Sequence, residues 1–333
     1  MIDIFAVEET KVSTNLWEYS TIFEGETGEG KTDSLNRYLK SVIPSDKKVL
    51  WIFLEDRHKG IPGLTGVEVH TVPELLQVVA QLRNPKAKET YACIAFDTFD
   101  KLGEMLDKYV TDSKEIEILQ DLQFGKGNKY LNAQARVLTE IRNLGFPIHG
   151  TVQVYKNEDI IKHTVSYNSN LQKDIKNRIF ADAFFIGAVN KDSKAKEPEK
   201  SDRLITFSKS QMYPDLKLGM GTLPKVMHVA ELKDNLTKMF EENYDASQLS
   251  TQSVYEERKV EDNFDDVIKE GQEYGNKLVA DGHTDEAMNI LKTDFGMDGE
   301  RVKNFGDLVP AQLDLAKVVT MKLKDLCVKY NLI

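Results

Sequence analysis

The sequence holds two cysteines, Cys93 and Cys327, in 333 residues. That is too few for a disulfide framework or a zinc site, and Cys93, inside an apolar run, reads as a small core residue. The six histidines are scattered with no pair at metal-ligand spacing, so each reads as a satisfied or surface side chain. Long apolar stretches are also missing: no run approaches the roughly eighteen residues that a membrane helix needs. The opening stretch Met1–Glu9 carries acids where a secretory signal carries Lys or Arg, so a cytoplasmic home is expected. Positive charge is in deficit, with 44 Lys and Arg against 54 Asp and Glu and a net charge of −10. This excludes a protein coated for tight, non-specific DNA binding, although an acidic body with one basic channel still admits DNA along that channel.

What is present begins with Gly25-Glu26-Thr27-Gly28-Glu29-Gly30-Lys31-Thr32, a full match to G-x-x-x-x-G-K-[ST]. A short apolar run, Thr21-Ile22-Phe23, enters the motif, and Asp33 to Lys40 leaves it as a helix. Glycines there permit positive φ, so successive N–H groups turn inward around phosphate oxygens, and the helix N-terminus adds to the same anion site. The nucleotide contacts are therefore expected from Gly25 through Asp33. Lys31 reaches the β- and γ-phosphates, and the Thr32 hydroxyl takes one Mg²⁺ position. The absence of an Asn-Lys-x-Asp base-reading motif tilts the choice to ATP.

Two later runs belong to the same chemistry. Lys48 to Phe53 is a nearly continuous apolar run ending in Leu54-Glu55-Asp56, which predicts a strand buried on both faces of a parallel sheet. Thr90 to Phe96 is a second such run. It ends in Asp97, expected at the edge of a strand beside the phosphate loop as an orderer of the metal shell. Glu55, at its own strand end, is the candidate activator of water. Gln153, ending the strand Phe146–Val154, is the candidate γ-phosphate sensor.

Farther along, Phe124-Gly125-Lys126-Gly127 opens a long helix over 131–144. Residues 155–178 interleave Lys156, Lys162, His163, Lys173, Lys176 and Arg178 with Tyr155 and Tyr167. That mixture suits single-stranded nucleic acid, with cations for the backbone and rings for the bases, and equally suits a plain surface loop. A strand is expected over 179–189, then a charged tip over 191–202, its hairpin partner over 203–207, and a helix over 225–240. Three parts follow: 1–240 as an α/β nucleotide-binding domain, 241–266 as an acidic polar linker, and 267–333 as a small helical interaction domain. In the last, Leu308, Leu313, Leu315, Val318, Met321, Leu323 and Leu326 form the expected apolar spacing.

The order of these pieces, with Phe124–Gly127 and a late Gly221-Thr222-Leu223-Pro224, resembles the RecA-like P-loop (AAA-domain) ATPases of bacteriophages that act in single-strand DNA recombination. The resemblance spans about residues 15–224 and implies a mostly parallel sheet flanked by helices. It implies ATP and Mg²⁺ as cofactors, Glu55 as water activator, Asp97 as metal-shell acid and Gln153 as sensor. It also implies assembly into a ring or filament, with a cation such as Lys209 or Lys217 offered to a neighbour. Two departures stand out: the family usually has Asp-x-Glu where this chain has Leu54-Glu55-Asp56, and many relatives have His at Gln153. The helical tail lies outside the resemblance and suits docking to a phage single-strand-binding or replication protein. A nucleotide-gated loader with little DNA affinity is the rival reading. A P-loop kinase ranks last, because few arginines stand where a lid would need them.

Overall fold

The computed structural model describes residues 9–114, 127–192, 203–253, 264–294, 308 and 313–333. The chain divides into two units, 1–257 and 258–333. In the first, β1 (Val12–Ser13) leads to β2 (Thr21–Gly25), whose end runs through the phosphate loop into α1 (Lys31–Val42). Then come β3 (Lys48–Phe53), β4 (Gly66–Glu68), α2 (Val72–Leu82), α3 (Pro85–Thr90), β5 (Tyr91–Asp97), α4 (Phe99–Lys114) and α5 (Gly127–Arg142). The unit continues with β6 (Ile148–Asp159), β7 (Thr164–Ser169), α6 (Lys173–Asp182), β8 (Phe185–Lys191), β9 (Arg203–Thr206), β10 (Lys217–Leu218), β11 (Met227–His228), α7 (Leu232–Asn243) and β12 (Leu249–Ser250).

Ten strands form one sheet in the order β11-β9-β8-β2-β6-β5-β3-β4, with β10 on β8 and β7 on β6. From β8 to β4 every pair is parallel, and β9, β10 and β11 add an antiparallel margin. Apolar side chains alternate to both faces, so two cores form. Ile22, Ile52, Ile94, Phe96 and Val152 meet α2, α4, α5 and α6 on one face. Phe23, Trp51, Phe53, Cys93 and Ala95 meet α1 and α7 on the other. Burying both faces is why these strands read as continuous apolar runs. The Thr71 capping box, closed by Glu74, and Pro73 in the first turn start α2 where the spacing predicts a helix. This is a RecA-like P-loop core.

Several expectations change. The Asp97 strand is not beside the loop strand, because β6 lies between β5 and β2. Residues 155–178 are not a loop. The outer half of β6 folds back on β7 in register from Val154↔Ser169 to Asp159↔Thr164, and α6 follows. The apolar run at 179–189 is divided, with Ile179 and Phe180 on α6 and the strand starting at Phe185. Helix α7 begins only at Leu232, after the short β11. Residues 241–253 carry the end of α7 and then β12, which pairs in parallel with β1, so this part of the expected linker belongs to the first unit. Its polar composition reflects a shallow position, while Ser253 is buried. The expectations for 124–126 and for most of the tip at 191–202 lie outside the described residues.

The second unit contains α8 (Phe264–Ala280), α9 (Thr284–Asp294) and α10 (Leu313–Lys329). Val267, Leu278, Ala287, Leu308, Ala316, Val319, Leu323 and Cys327 form its core. The buried stripe of α10 runs through 316, 319, 323 and 327, the spacing of one helix face. Val318 and Met321, expected on that face, are exposed. Among the described residues no helix is long and apolar enough to cross a membrane.

Candidate nucleotide site

The end of β2 turns into α1 through Gly28 (φ 85°) and Gly30 (φ 83°), both in the left-handed region that glycine adopts without strain. Gly25 needs to be small for another reason: a Cβ there would lie 2.6 Å from the Val189 carbonyl oxygen of β8. The loop thus sits at the C-terminal edge of the central strand, at the N-terminus of a twelve-residue helix.

Lys31 is only 8 % exposed. Its ammonium donates to the Gly25 and Glu26 carbonyls, 2.9 Å each. Burial pulls its pKa below the ordinary lysine value, against the opposing pull of the Asp97, Asp100, Glu55 and Glu29 carboxylates. Thr32, one residue on, donates its hydroxyl to Asp97 Oδ1 at 2.9 Å. The same oxygen accepts the Thr151 hydroxyl at 2.6 Å from the intervening strand β6. A strand therefore separates Asp97 from the loop in the sheet, yet the two meet through side chains at the sheet edge. Asp97 is 5 % exposed and Thr151 fully buried. A hydroxyl and a carboxylate in contact are the hard oxygen donors that Mg²⁺ takes, so these residues fit the cation the motif implies.

Glu55 follows β3, and the Leu54 N–H bonds the Asp97 carbonyl at 2.9 Å, which holds the two strand ends together. The Thr98 hydroxyl donates to Glu55 Oε1 at 3.5 Å. Asp56 is exposed, with its carboxylate 4.0 Å from the Lys59 ammonium. Gln153 pairs with Gly25 across β6 and β2, and its amide donates to the Thr27 hydroxyl. The Asp33 carboxylate accepts from Arg37 at 2.9 Å along the outer face of α1. Glu26 is exposed, and Glu29 accepts the Lys191 N–H at 2.5 Å. The structure thus gathers Lys31, Thr32, Asp97, Glu55 and Gln153 at one edge. Lys217 stands apart: its ammonium caps α6 through the Ala181 carbonyl at 3.2 Å, which leaves Lys209, exposed, as the freer of the two cations.

Three groups were not singled out in the sequence. Asp100, in the first turn of α4, accepts the Gln153 N–H at 2.6 Å through Oδ2, while Oδ1 is buried without a partner. Burial raises its pKa to about 6, with hydrogen bonds and Lys31 pulling the other way. Its signal was the second acid in Asp97-Thr98-Phe99-Asp100. Glu24, immediately before the loop, is fully buried with both oxygens unpartnered, and burial, with Asp215 adding, raises it to about 8. Thr151 has no sequence signal beyond its place two residues before Gln153.

Among solved structures, a KaiC-like protein from Pyrococcus horikoshii OT3 is 12 % identical, with a TM-score of 0.32 over 59 % of this chain and 86 % of that one. The flagellar accessory protein FlaH from Methanocaldococcus jannaschii is 14 % identical, with a TM-score of 0.32 over 63 % of this chain and 83 % of that one. None of the curated proteins matches the chain. The AAA-domain family AAA_24 matches residues 18–215, from just before β2 to just before β10, and so covers the loop, both strand-end acids and Gln153. The chain belongs to the AAA_24 family of AAA-domain proteins.

Proposed function

We propose that the protein binds and hydrolyses ATP with Mg²⁺ and acts with single-stranded DNA in phage recombination or repair. The observation that carries the enzymatic half is the Thr32–Asp97 contact one residue from Lys31. Thr32 and Asp97 would hold the cation, which supplies charge neutralisation on the phosphates. Lys31 and the N–H groups of the loop hold the phosphate oxygens. Glu55 orients the attacking water, because it lies beside Asp97 while Asp56 is turned to Lys59. Gln153 touches Thr27 with its side chain and Asp100 with its N–H, so the state of the loop is felt at the base of the β6–β7 hairpin. Assembly into a ring or filament would place Lys209 of one copy near the site of the next.

The DNA half rests on the hairpin projecting from the sensor strand, with Tyr155 exposed. One observation favours the rival reading. The hairpin cations are paired, Lys156 with Glu158 and Lys162 with Asp159, and the tip exposes Ile160 (81 %) and Ile161 (91 %). An apolar tip with neutralised charge suits a protein partner, such as a single-strand-binding or replication protein, better than a phosphate backbone. Phosphate release from Mg-ATP, with and without single-stranded DNA at low and moderate salt, separates the two. Stimulation that fades with salt supports the DNA-acting ATPase; turnover indifferent to DNA at every salt concentration moves the function to the nucleotide-gated loader.

A further inference from the structure

The phosphate loop is braced on both flanks, by Gln153 on one side and by the β8–β9 hairpin on the other. On the hairpin side Lys191 and Arg203 are directly opposed across the two strands. Like charges in that position destabilise a strand pair unless something neutralises them. Lys191 is neutralised, since Glu29 of the loop accepts its backbone N–H and lies 3.9 Å from its ammonium. Arg203 is not. No carboxylate among the described residues forms an ion pair with it, and its Nε is buried without a hydrogen-bond partner.

The Arg203 side chain lies against Gly30. A Cβ at Gly30 would come within 2.6 Å of Nε and 3.4 Å of Cζ. Gly30 is the N-cap of α1, where loop amides and helix dipole converge on one anion position, and Lys31 is the next residue. A guanidinium with an orphaned buried N–H and no ion pair among the described residues, held against the phosphate seat, is placed to take an anion. Guanidinium supplies planar paired donors that match phosphate oxygens, which an ammonium does not.

We infer that Arg203 is a nucleotide-binding residue acting in cis, its guanidinium contacting the phosphates of the nucleotide held by Gly25–Thr32. The inference deepens the ATP-binding reading and rests on it. It assigns from within the chain a cation that the resemblance assigned to a neighbouring subunit, and it gives the β8–β9 hairpin a reason to lean on the loop.

The test is fluorescence titration of the full chain with ATP, ADP and AMP, each with Mg²⁺, for the wild type, Arg203→Ala, Arg203→Lys and Lys31→Ala. Lys238→Ala, an exposed site on α7, serves as a control, and melting curves are taken for all. The expected result is that Arg203→Ala weakens ATP at least about tenfold, ADP less and AMP least, with an unchanged melting temperature. Arg203→Lys recovers part of the loss. Arg203→Ala binding ATP as the wild type does, while Lys31→Ala does not, overturns the inference and leaves the ATP-binding reading standing. An equal loss for ATP, ADP and AMP with a lowered melting temperature also overturns it, because that is the mark of a strut for Gly30. A wild type that binds none of the three nucleotides overturns the ATP-binding reading and this inference together.

Discussion

Two carboxyl groups near the loop sit where water cannot stabilise their charge, and both have consequences that pH reveals. Glu24, fully buried, has its pKa raised from 4.5 to about 8 by burial first and Asp215 next, with Lys176 opposing. The folded protein therefore holds this proton more tightly than the unfolded chain does. The associated stability is fully present below about pH 4.5 and is lost as pH rises through about 8. Glu24→Gln should flatten the fall in melting temperature between pH 6 and 9 and raise the melting temperature at pH 9; thermal melts across that range check it. Asp100, raised to about 6, sits within reach of the same chemistry and changes charge close to neutrality. Its ionised form should support the hydrogen bond to the Gln153 N–H, so wild-type turnover should climb between pH 5 and 7. In Asp100→Asn that limb of the rate profile should vanish. An unaltered profile in the variant would remove Asp100 from the catalytic account.

At the scale of elements, β6 is the member that joins the parts. It separates the loop strand from the Asp97 strand, delivers the Thr151 hydroxyl to Asp97, places Gln153 against Thr27 and then leaves the sheet as a hairpin. Thr151→Val removes one of two hydroxyls on Asp97 Oδ1 and should cost about 1–3 kcal/mol of stability, read by urea unfolding. Turnover should fall with it, since Asp97 loses its second anchor. Ile160→Asp with Ile161→Asp, at the exposed tip, should leave stability within about 0.5 kcal/mol and basal ATP turnover unchanged. The same change should abolish any stimulation by a protein partner, measured as ATP turnover with and without a single-strand-binding protein. The hairpin was illegible in the sequence because its polar, charged residues resemble a loop. Its strands are held by backbone pairing from Val154 to Ser169, not by an apolar pattern. The run at 179–189 misled for the converse reason: apolar residues at the end of α6 and the start of β8 abut with only a short break between them.

Across the whole molecule, what was local was legible. Gly25 to Thr32 is a contiguous motif, and Glu55 and Asp97 each end a long apolar run, so all three could be placed before any contact was known. What depends on topology was not. Arg203 reaches Gly30 across 173 residues of chain, and Thr151 reaches Asp97 across 54. The tail was legible as a helical unit, but its buried face was misplaced, because Ala316 and Cys327 carry core positions that Val318 and Met321 seemed to claim. The two units each have their own core. A chain ending at Glu257 should therefore retain nucleotide affinity within about threefold of the full chain, checked by the same titration.

The central claim is that this edge of the sheet turns over Mg-ATP through Glu55. Phosphate release measured side by side for the wild type, Lys31→Ala and Glu55→Gln tests it most directly, with ATP binding measured on each. The account predicts Mg²⁺-dependent turnover in the wild type and weakened binding in Lys31→Ala. In Glu55→Gln it predicts near-normal binding with turnover reduced on the order of 10²-fold or more. Glu55→Gln hydrolysing ATP as fast as the wild type, or a wild type that binds Mg-ATP and never releases phosphate, would contradict it.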